Sequence, residues 1–255
     1  MIIMGAVFRW VNILAFVLTI IVNGLAGSTT LIGGKITREI SDANPTLITP
    51  AGYVFSIWGL IYLLLGIFVV YQALPSNQGK KFQKKVGWFF ALSSIFNVAW
   101  LFLWQYGFLI ESLILMILLL ATLITIYLRL NIGKNKTSFW ERLTVHLPFS
   151  VYLGWITIAT IANVAVALVS VKWDSFGLAP EIWAAIVIAL ALIITLLVLS
   201  TRKDIAFALV IIWALVGIGV NQSGNSMIVL LTQISATSIA IATIVVIVFT
   251  VLKRI

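Results

Sequence analysis

The sequence of 255 residues contains no cysteine and a single histidine, His146. Disulfides, thiolate catalysis and cysteine-ligated metals are therefore excluded, as is any site that needs two imidazoles. Charged residues are also scarce, at 9% of the chain, whereas hydrophobic residues make up 62%. A soluble domain carries roughly 25% charged and about 45–50% apolar residues. Too few polar residues remain to cover a core in water, so we predict that lipid surrounds the protein.

Acidic residues are outnumbered by basic ones, which gives the chain a net charge of +9. A nucleic-acid-binding surface would need those charges on one face of a folded soluble domain. The basic residues instead occur in short runs between apolar segments, as in membrane proteins whose basic loops stay in the cytoplasm. We therefore predict no nucleic-acid partner and expect membrane lipids to be the surroundings of the chain.

Apolar segments of about 18–25 residues, the length that spans a bilayer, recur along the chain with brief polar breaks. We interpret eight of them as transmembrane helices, at approximately 7–27, 52–74, 86–106, 109–130, 144–169, 180–200, 205–221 and 227–251. The shortest break, Thr201–Asp204, makes the boundary between the sixth and seventh helices the least secure. The predicted fold is an all-α polytopic membrane protein.

The distribution of basic residues tests this count of eight. With a cytoplasmic N-terminus and alternating sides, only Lys35, Arg38 and Lys172 of the 16 lysines and arginines fall outside. A count of seven or nine would place Lys253 and Arg254 outside while the N-terminus stayed inside. Eight helices with both termini cytoplasmic is the consistent solution, and we expect a bacterial cell membrane.

The first apolar segment leaves an alternative open. Arg9, the apolar stretch that follows it and the small residues at Gly24 and Ala26 resemble a secretory signal with a cleavage site. The segment is long for the apolar core of a signal, which favours its retention as a helix. An N-terminal tag that survives in the membrane-inserted protein would exclude cleavage.

The only long connector runs from Ser28 to Thr49. It contains Gly33, Gly34 and Pro45, which favour irregular backbone. A loop of this length on a compact bundle is often a lid or a binding loop. We therefore expect it to cover a site.

Ionisable residues are absent from the middle of every predicted helix. Ion-coupled transporters usually keep such residues at mid-bilayer, so an ion-coupled pump is disfavoured. Glu111 and His146 fall near opposite faces of the membrane, which argues against a Ser/His/acid triad. Gly133 and Lys134 lack the earlier glycine of a phosphate-binding loop. We predict no catalytic residues, no metal ligands and no resident cofactor.

Aromatic and amide side chains remain as candidates for a site. They recur at helical spacing on three predicted helices: Trp58, Tyr62 and Gly66 on the second, Asn97 and Trp100 on the third, and Trp155, Ala159 and Asn163 on the fifth. An amide in hydrocarbon needs a partner, so each asparagine should face the bundle interior. Aromatic rings beside small residues suit a flat, mostly apolar ligand. Interhelical packing and interfacial aromatic belts are the structural alternative for each residue.

Longer stretches around these residues form three motifs: Thr49 to Gly66, Asn97-Val-Ala-Trp100, and Trp155 to Asn163. In sequence and in order they resemble the motifs of the TspO/MBR family, which comprises the tryptophan-rich sensory proteins and the mitochondrial translocator proteins. The resemblance covers roughly residues 7–169. It implies a five-helix bundle whose pocket opens under the long first loop.

The resemblance also implies a function, which is to bind a flat hydrophobic molecule such as a porphyrin, a haem-like tetrapyrrole or a sterol, for sensing or transport. Turnover of the bound tetrapyrrole has been proposed in the family, but the residues here favour a protein that is not an enzyme. The expected partners are membrane lipids, this ligand and a second copy of the chain. The resemblance assigns ligand-binding roles to Trp58, Tyr62, Asn97, Trp100, Trp155, Ala159 and Asn163, with Pro50 and Tyr53 shaping the covering loop.

Two departures concern the pocket entrance. Ser56 stands where the family has a proline two residues before Trp58, and Val151 stands where it has a proline four residues before Trp155. The larger departure is the continuation of the chain. We predict a five-helix unit at 1–170 and a three-helix transmembrane extension at 171–255, which resembles a longer bacterial branch of the family.

The predicted extension contains an echo of the fifth helix, because Trp213, Gly217 and Asn221 repeat the spacing of Trp155, Ala159 and Asn163. The echo marks either a second lining element or chance in so apolar a chain, and we favour chance. A small-solute transporter that uses the extra helices for alternating access is the alternative function. It predicts repeats and polar groups at the midplane, of which only this echo is found.

Overall fold

The computed structural model describes residues 2–252, with side chains from residue 7 to residue 252. The described chain is helical and contains no strand. Its eight helices of 17 residues or more are α1 (Ile2–Ser28), α2 (Ile57–Ala73), α3 (Phe89–Gln105), α4 (Leu109–Leu130), α5 (Leu147–Ser170), α6 (Pro180–Arg202), α7 (Ile205–Asn221) and α8 (Ser226–Leu252). The all-α prediction is confirmed, and each long helix overlaps one predicted segment. Lys253 and Arg254 lie outside the described residues.

Within residues 2–252, six helical segments are long and apolar enough to cross a membrane by length and composition. Helices α3 and α7 are apolar but shorter, at 17 residues each. The count of eight spans therefore stays a prediction. Large apolar side chains point outward from the bundle, as lipid requires, and examples are Leu14, Leu63, Ile95, Ile114, Leu197, Leu209 and Ile244.

Short helical segments fill the connectors. They are Thr37–Ala43 in the first loop, the 3-10 turns Gly52–Ser56, Pro75–Asn77 and Ser175–Gly177, the helix Lys81–Val86, and the turn Phe139–Glu141 followed by the π-helix Arg142–His146. The first loop is therefore partly helical, whereas irregular backbone was predicted. Gly33 and Gly34 adopt positive φ angles as expected of such a loop.

Several predicted boundaries differ from the structure by up to five residues, and two of them have a reason in the sequence. The third segment was predicted to start at residue 86, but α3 starts at Phe89 because Gly87, at φ 49°, ends the preceding short helix. The fifth was predicted to start at residue 144, but helical structure begins five residues earlier and passes through the π-helix. Pro148 has no N–H to offer the carbonyl of Thr144, and the chain forms a wider turn there.

Helix α5 is the central element of the bundle. It packs against α2 and α4 in the first half of the chain and against α7 in the second half. Phe68 of α2, Phe90 of α3 and Phe149 of α5 form a buried aromatic contact, with ring centroids 5.0 Å apart for Phe68 and Phe149 and 5.2 Å for Phe68 and Phe90. Helix α7 also packs against α6 and α8, so it joins the last three helices to the first five.

Hydrogen bonds between helix ends and connectors show at which end of the bundle each connector lies. At one end, which we call the basic end, Arg129 donates to the carbonyl oxygen of Lys84 at 3.0 Å. At the other, which we call the loop end because it holds the first loop, Gln105 donates to the carbonyl oxygen of Lys35 at 3.0 Å. Successive connectors alternate between the two ends, as antiparallel neighbouring helices require.

Candidate functional site

Trp58 lies at the centre of an aromatic cluster near the loop end of α2. Its ring stacks on Tyr62, with centroids 5.5 Å apart and planes at 19°, and on Trp100 of α3 at 6.4 Å. Trp155 of α5 meets the Trp58 ring edge-on at 6.1 Å. The structure thus brings together the three stripes of aromatic residues that the sequence places on separate helices.

A cavity of about 50 Å³, which we call the tryptophan cavity, lies within this cluster. The loop forms its roof through Thr37, Ser41 and Thr49. Six of the residues predicted for the site line it: Pro50, Trp58, Trp100, Trp155, Ala159 and Asn163. None of its lining side chains is ionisable, so the site offers shape, rings and a few dipoles but no acid or base.

Three predicted site residues lie elsewhere. Tyr62 sits behind Trp58 and lines an outward groove instead. Asn97 is fully buried against α1. Tyr53 is 45% exposed, and its ring contacts Trp213 at 5.3 Å. Ligand contact by these three would need a rearrangement, and their binding roles stay predictions.

The two asparagines face the bundle interior, as predicted, and each has a partner. Asn97 Oδ1 accepts a hydrogen bond from Asn23 Nδ2 of α1 at 2.7 Å. Asn163 Oδ1 accepts from Trp100 Nε1 at 2.9 Å, and Asn163 Nδ2 donates to Ser112 Oγ at 3.3 Å. The partners Asn23 and Ser112 were missed, although both are polar residues in apolar helices.

Trp155 supplies a free donor beside the cavity. Its indole is buried, at 2% exposure, and its Nε1–H has no acceptor among the described residues. Buried donors are nearly always paired, so an unpaired one at the wall of a cavity is available to a ligand acceptor. The indole of Trp100 differs, since Asn163 already satisfies it.

Two aromatic residues that line the cavity were not predicted as site residues. Trp104 follows Trp100 by one helical turn and donates from Nε1 to the carbonyl oxygen of Thr37 at 3.2 Å. This bond ties the short helix of the loop to α3. Phe55 meets Trp155 edge-on at 6.0 Å. Trp104 could have been predicted from its helical spacing to Trp100. Phe55 could not, because it lies in a turn, where helical spacing does not apply.

Gly52 of the first motif leaves space for a side chain of the loop. A Cβ atom there would lie 2.2 Å from Cζ of Arg38, so any other residue would make this flexible side chain move away from the 3-10 turn. Arg38 Nε also pairs with Asp42 Oδ2 at 3.3 Å on the exposed side of the short loop helix.

Helix α7 holds the roof from the other side. Trp213 Nε1 donates to the carbonyl oxygen of Val54 at 3.2 Å, and Asn221 Nδ2 donates to that of Thr49 at 3.0 Å. The backbone N–H of Ala51 donates to the Gly217 carbonyl oxygen at 3.0 Å. We call Trp213, Gly217, Asn221 and Gln222, which donates to the Thr46 carbonyl oxygen at 3.2 Å, the latch.

The latch explains the echo in the extension. Trp213, Gly217 and Asn221 lie outside the tryptophan cavity, so they are not a second lining element. They form one face of α7 that touches the loop, and a Cβ at Gly217 would come within 2.1 Å of Val54 Cγ2. The spacing has a structural reason, which the interpretation as chance missed.

The basic end of α7 is anchored by the buried carboxylate of Asp204. Its Oδ2 accepts from Tyr127 at 2.8 Å and from Ser150 at 2.7 Å. Its Oδ1 caps the helix by accepting from the N–H of Phe207 at 3.1 Å. Asp204 therefore joins α4, α5 and α7, and the last three helices are held to the first five at both ends.

Within residues 2–252, no group of three or more His, Asp or Glu side chains is arranged to hold a metal ion. A family model described as "TSPO-like protein" matches residues 9–251, which includes the predicted extension. No curated protein and no solved structure matches the chain. The family match spans nearly the whole chain and agrees with the apolar helices. The chain is an integral membrane protein that belongs to the TSPO-like protein family.

Proposed function

We propose that the protein binds a flat, largely apolar molecule of the porphyrin type in the tryptophan cavity, for sensing or transport. The observation that carries this proposal is the convergence of Trp58, Trp100 and Trp155 from three helices, beside one unpaired indole donor. Aromatic faces stack on a planar ring system, and one donor orients it through a carboxylate or carbonyl oxygen.

Binding requires the site to open. Cavities that hold small ligands measure roughly 300–1,000 Å³, whereas the tryptophan cavity measures about 50 Å³. The structure therefore corresponds to a closed state. Trp100 and Trp155 are buried and held by neighbouring helices, while Trp58 and Phe55 are only partly buried. We infer that the roof lifts from the latch and that Trp58 and Phe55 move to admit the ligand.

We also propose that all eight long helices cross the membrane, with both termini in the cytoplasm of a bacterial cell. The alternation of connectors between the two ends supports the eight crossings. The 17 residues of α3 and α7 suit a thinner part of the bilayer or a short span, which is near the lower limit for a helix. A homodimer and the two-unit division at residue 170 remain predictions.

Binding without turnover is favoured over catalysis, because no ionisable side chain lines the cavity. The alternative of a small-solute transporter gains no support from the midplane. The only buried carboxylate in the described part of the chain, that of Asp204, lies at the basic end and is fully engaged in hydrogen bonds.

The test is a titration of the purified protein with protoporphyrin IX, followed by the absorbance of the porphyrin. Replacing Trp58 and Trp155 together by alanine should weaken binding by at least about tenfold, because each aromatic contact contributes about 0.5–1.5 kcal/mol beyond its buried area. Trp10→Ala is the matched control, since Trp10 is 58% exposed and distant from the cavity. Equal affinity in wild type and the double variant would overturn the assignment.

A further inference from the structure

A second cavity, of about 480 Å³, lies between α5 and α6 at the loop end. Its walls are Ile161, Ala165 and Leu168 of α5, Ala184 and Val187 of α6, and residues 45–48 of the first loop. We call it the α5–α6 cavity. It shares no lining residue with the tryptophan cavity, and its volume falls within the roughly 300–1,000 Å³ of ligand sites.

The cavity exists because two consecutive helices do not close on each other. Helix α5 packs on α7, and α6 packs on α7 and α8, whereas α5 and α6 have little direct contact with each other. Alanines at 165 and 184 line the gap between them. The connector between the helices takes a wide path, with left-handed backbone at Lys172, Ser175 and Phe176.

Leaving this cavity empty or filling it with water would each cost free energy. An empty cavity forfeits the dispersion contacts of its walls, and a buried water needs two to four polar partners. The polar side chains of the lining, Thr46, Ser175 and Gln222, are confined to one end, and Gln222 is already bound to the loop. Apart from the rings of Trp173 and Trp183, the remaining walls are aliphatic, and the surrounding solvent is the lipid of the membrane.

An aromatic rim marks the polar end. Trp173 and Trp183 lie 5.0 Å apart, and Phe176 contacts Trp173 at 5.1 Å. Trp183 Nε1 donates to the carbonyl oxygen of Ser175 at 2.9 Å, which fixes the ring. Tryptophans with an apolar body and a bound polar edge mark the level where lipid chains meet headgroups. The polar end of an occupant therefore lies at this rim.

We propose that the α5–α6 cavity is a binding site for one acyl chain of a membrane lipid. The chain enters from the bilayer, lies along Ala165 and Leu168, and leaves its ester end beside the aromatic rim. Lys172, Asp174 and Glu181 flank the rim in sequence with both signs of charge, so the site selects the chain and not the charge of the headgroup. The proposal does not rest on porphyrin binding, but Thr46 of the first loop and Gln222 of the latch line this cavity too.

Native mass spectrometry of the detergent-purified protein, supplied with dioleoyl phosphatidylglycerol or dioleoyl phosphatidylcholine, tests the proposal. Wild type should retain one molecule of either lipid. Ala165→Phe places a ring in the cavity and should abolish retention. Ala189→Phe is the matched control, because Ala189 lies on the exposed face of α6 and should leave retention unchanged. Equal retention by Ala165→Phe and wild type would overturn the site.

A second measurement needs no substitution in the cavity wall and covers the case in which Ala165→Phe fails to fold. In vesicles whose lipids carry brominated acyl chains, wild-type fluorescence should be quenched more than that of Trp183→Phe, since Trp183 contacts the bound chain. Equal quenching would contradict the proposal. Displacement of the retained lipid by protoporphyrin IX in the variant that lacks Trp58 and Trp155 would also overturn it, because the site would then belong to the flat ligand.

Discussion

Helix α5 presents opposite properties on its two sides. One side carries Trp155, Ala159 and Asn163 and faces a roofed, aromatic cavity of about 50 Å³. The other carries Ile161 and Ala165 and faces an aliphatic cavity of about 480 Å³. The cavity on the side with the recognisable motif is almost completely filled by protein side chains. The cavity on the side without a motif is large enough for a ligand.

The difference shows that a recognisable sequence motif does not indicate where the protein has a large cavity. Rings at helical spacing pack against one another when no ligand is present, so the tryptophan cavity closes by the same contacts that would bind a ligand. Small aliphatic residues between helices that do not pack together leave a gap that the membrane fills. A ligand of the first site must displace protein contacts, while a lipid of the second displaces none.

Removing the anchor of α7 should have the largest effect, because α7 supports the first site and its end borders the second. Asp204→Ala leaves the buried hydroxyls of Tyr127 and Ser150 without their acceptor and removes a helix cap. We expect a loss of about 3 kcal/mol in the free energy of unfolding, measured by thermal or denaturant unfolding in detergent.

The matched control for that variant is Asp174→Ala. Asp174 also accepts from a backbone N–H, that of Phe176 at 3.1 Å, but it is exposed and caps only a short turn. Its loss should cost less than about 1 kcal/mol. Similar losses for the two variants would show that Asp204 does not anchor α7.

Asn163→Leu should damage only the aromatic side of α5. The substitution leaves the buried indole N–H of Trp100 without its acceptor, which costs about 2 kcal/mol of stability. Ser112 loses the bond that it accepts from Asn163 but keeps its own donation to the Leu109 carbonyl oxygen. Porphyrin binding should weaken as the Trp100 ring loses its fixed orientation, while lipid retention in the α5–α6 cavity stays unchanged. Loss of both porphyrin binding and lipid retention would show that the two sides of α5 are not independent.

Trp213→Phe should have the smallest effect, because it keeps the ring contact with Tyr53 and removes only the hydrogen bond to Val54. The free energy needed to open the roof should fall by about 1 kcal/mol. The population of the open state should therefore rise roughly fivefold. The chain has no native cysteine, so Ser41→Cys can report opening, since Ser41 is a buried residue of the roof whose side chain lines the tryptophan cavity.

The rate at which a water-soluble maleimide labels that cysteine is the measurement. Labelling should be roughly fivefold faster with Trp213→Phe and unchanged with Trp10→Phe. An unchanged rate in the Trp213 variant would mean that the latch does not restrain the roof.

The sequence alone was sufficient for the helical segments and for the aromatic residues that converge. Spanning length and helical spacing are local properties, so the eight segments and the Trp58, Trp100 and Trp155 stripes were predictable. Their partners were only partly predictable. Any buried amide requires a partner, but nothing in the sequence identifies Asn23 for Asn97 or Ser112 for Asn163.

The remaining features depend on contacts between residues far apart in the chain. Trp213 and Val54 are separated by 159 positions, and Asn221 and Thr49 by 172. Spacing within α7 reveals the repeated pattern but not the loop that it meets. The α5–α6 cavity was equally hidden, because it depends on which helices fail to pack together, and Ala165 and Ala184 carry no signal of that.

The central claim is that a ligand reaches the tryptophan cavity when the roof lifts from α7. Its most direct test joins Thr49→Cys to Asn221→Cys with a short, cleavable thiol crosslinker, since these residues meet across the latch and no other cysteine competes. Each single variant treated with the same reagent is the control. We expect protoporphyrin IX to associate at least about tenfold more slowly with the crosslinked protein and to recover its rate after cleavage. Equal association rates before and after cleavage would contradict the account.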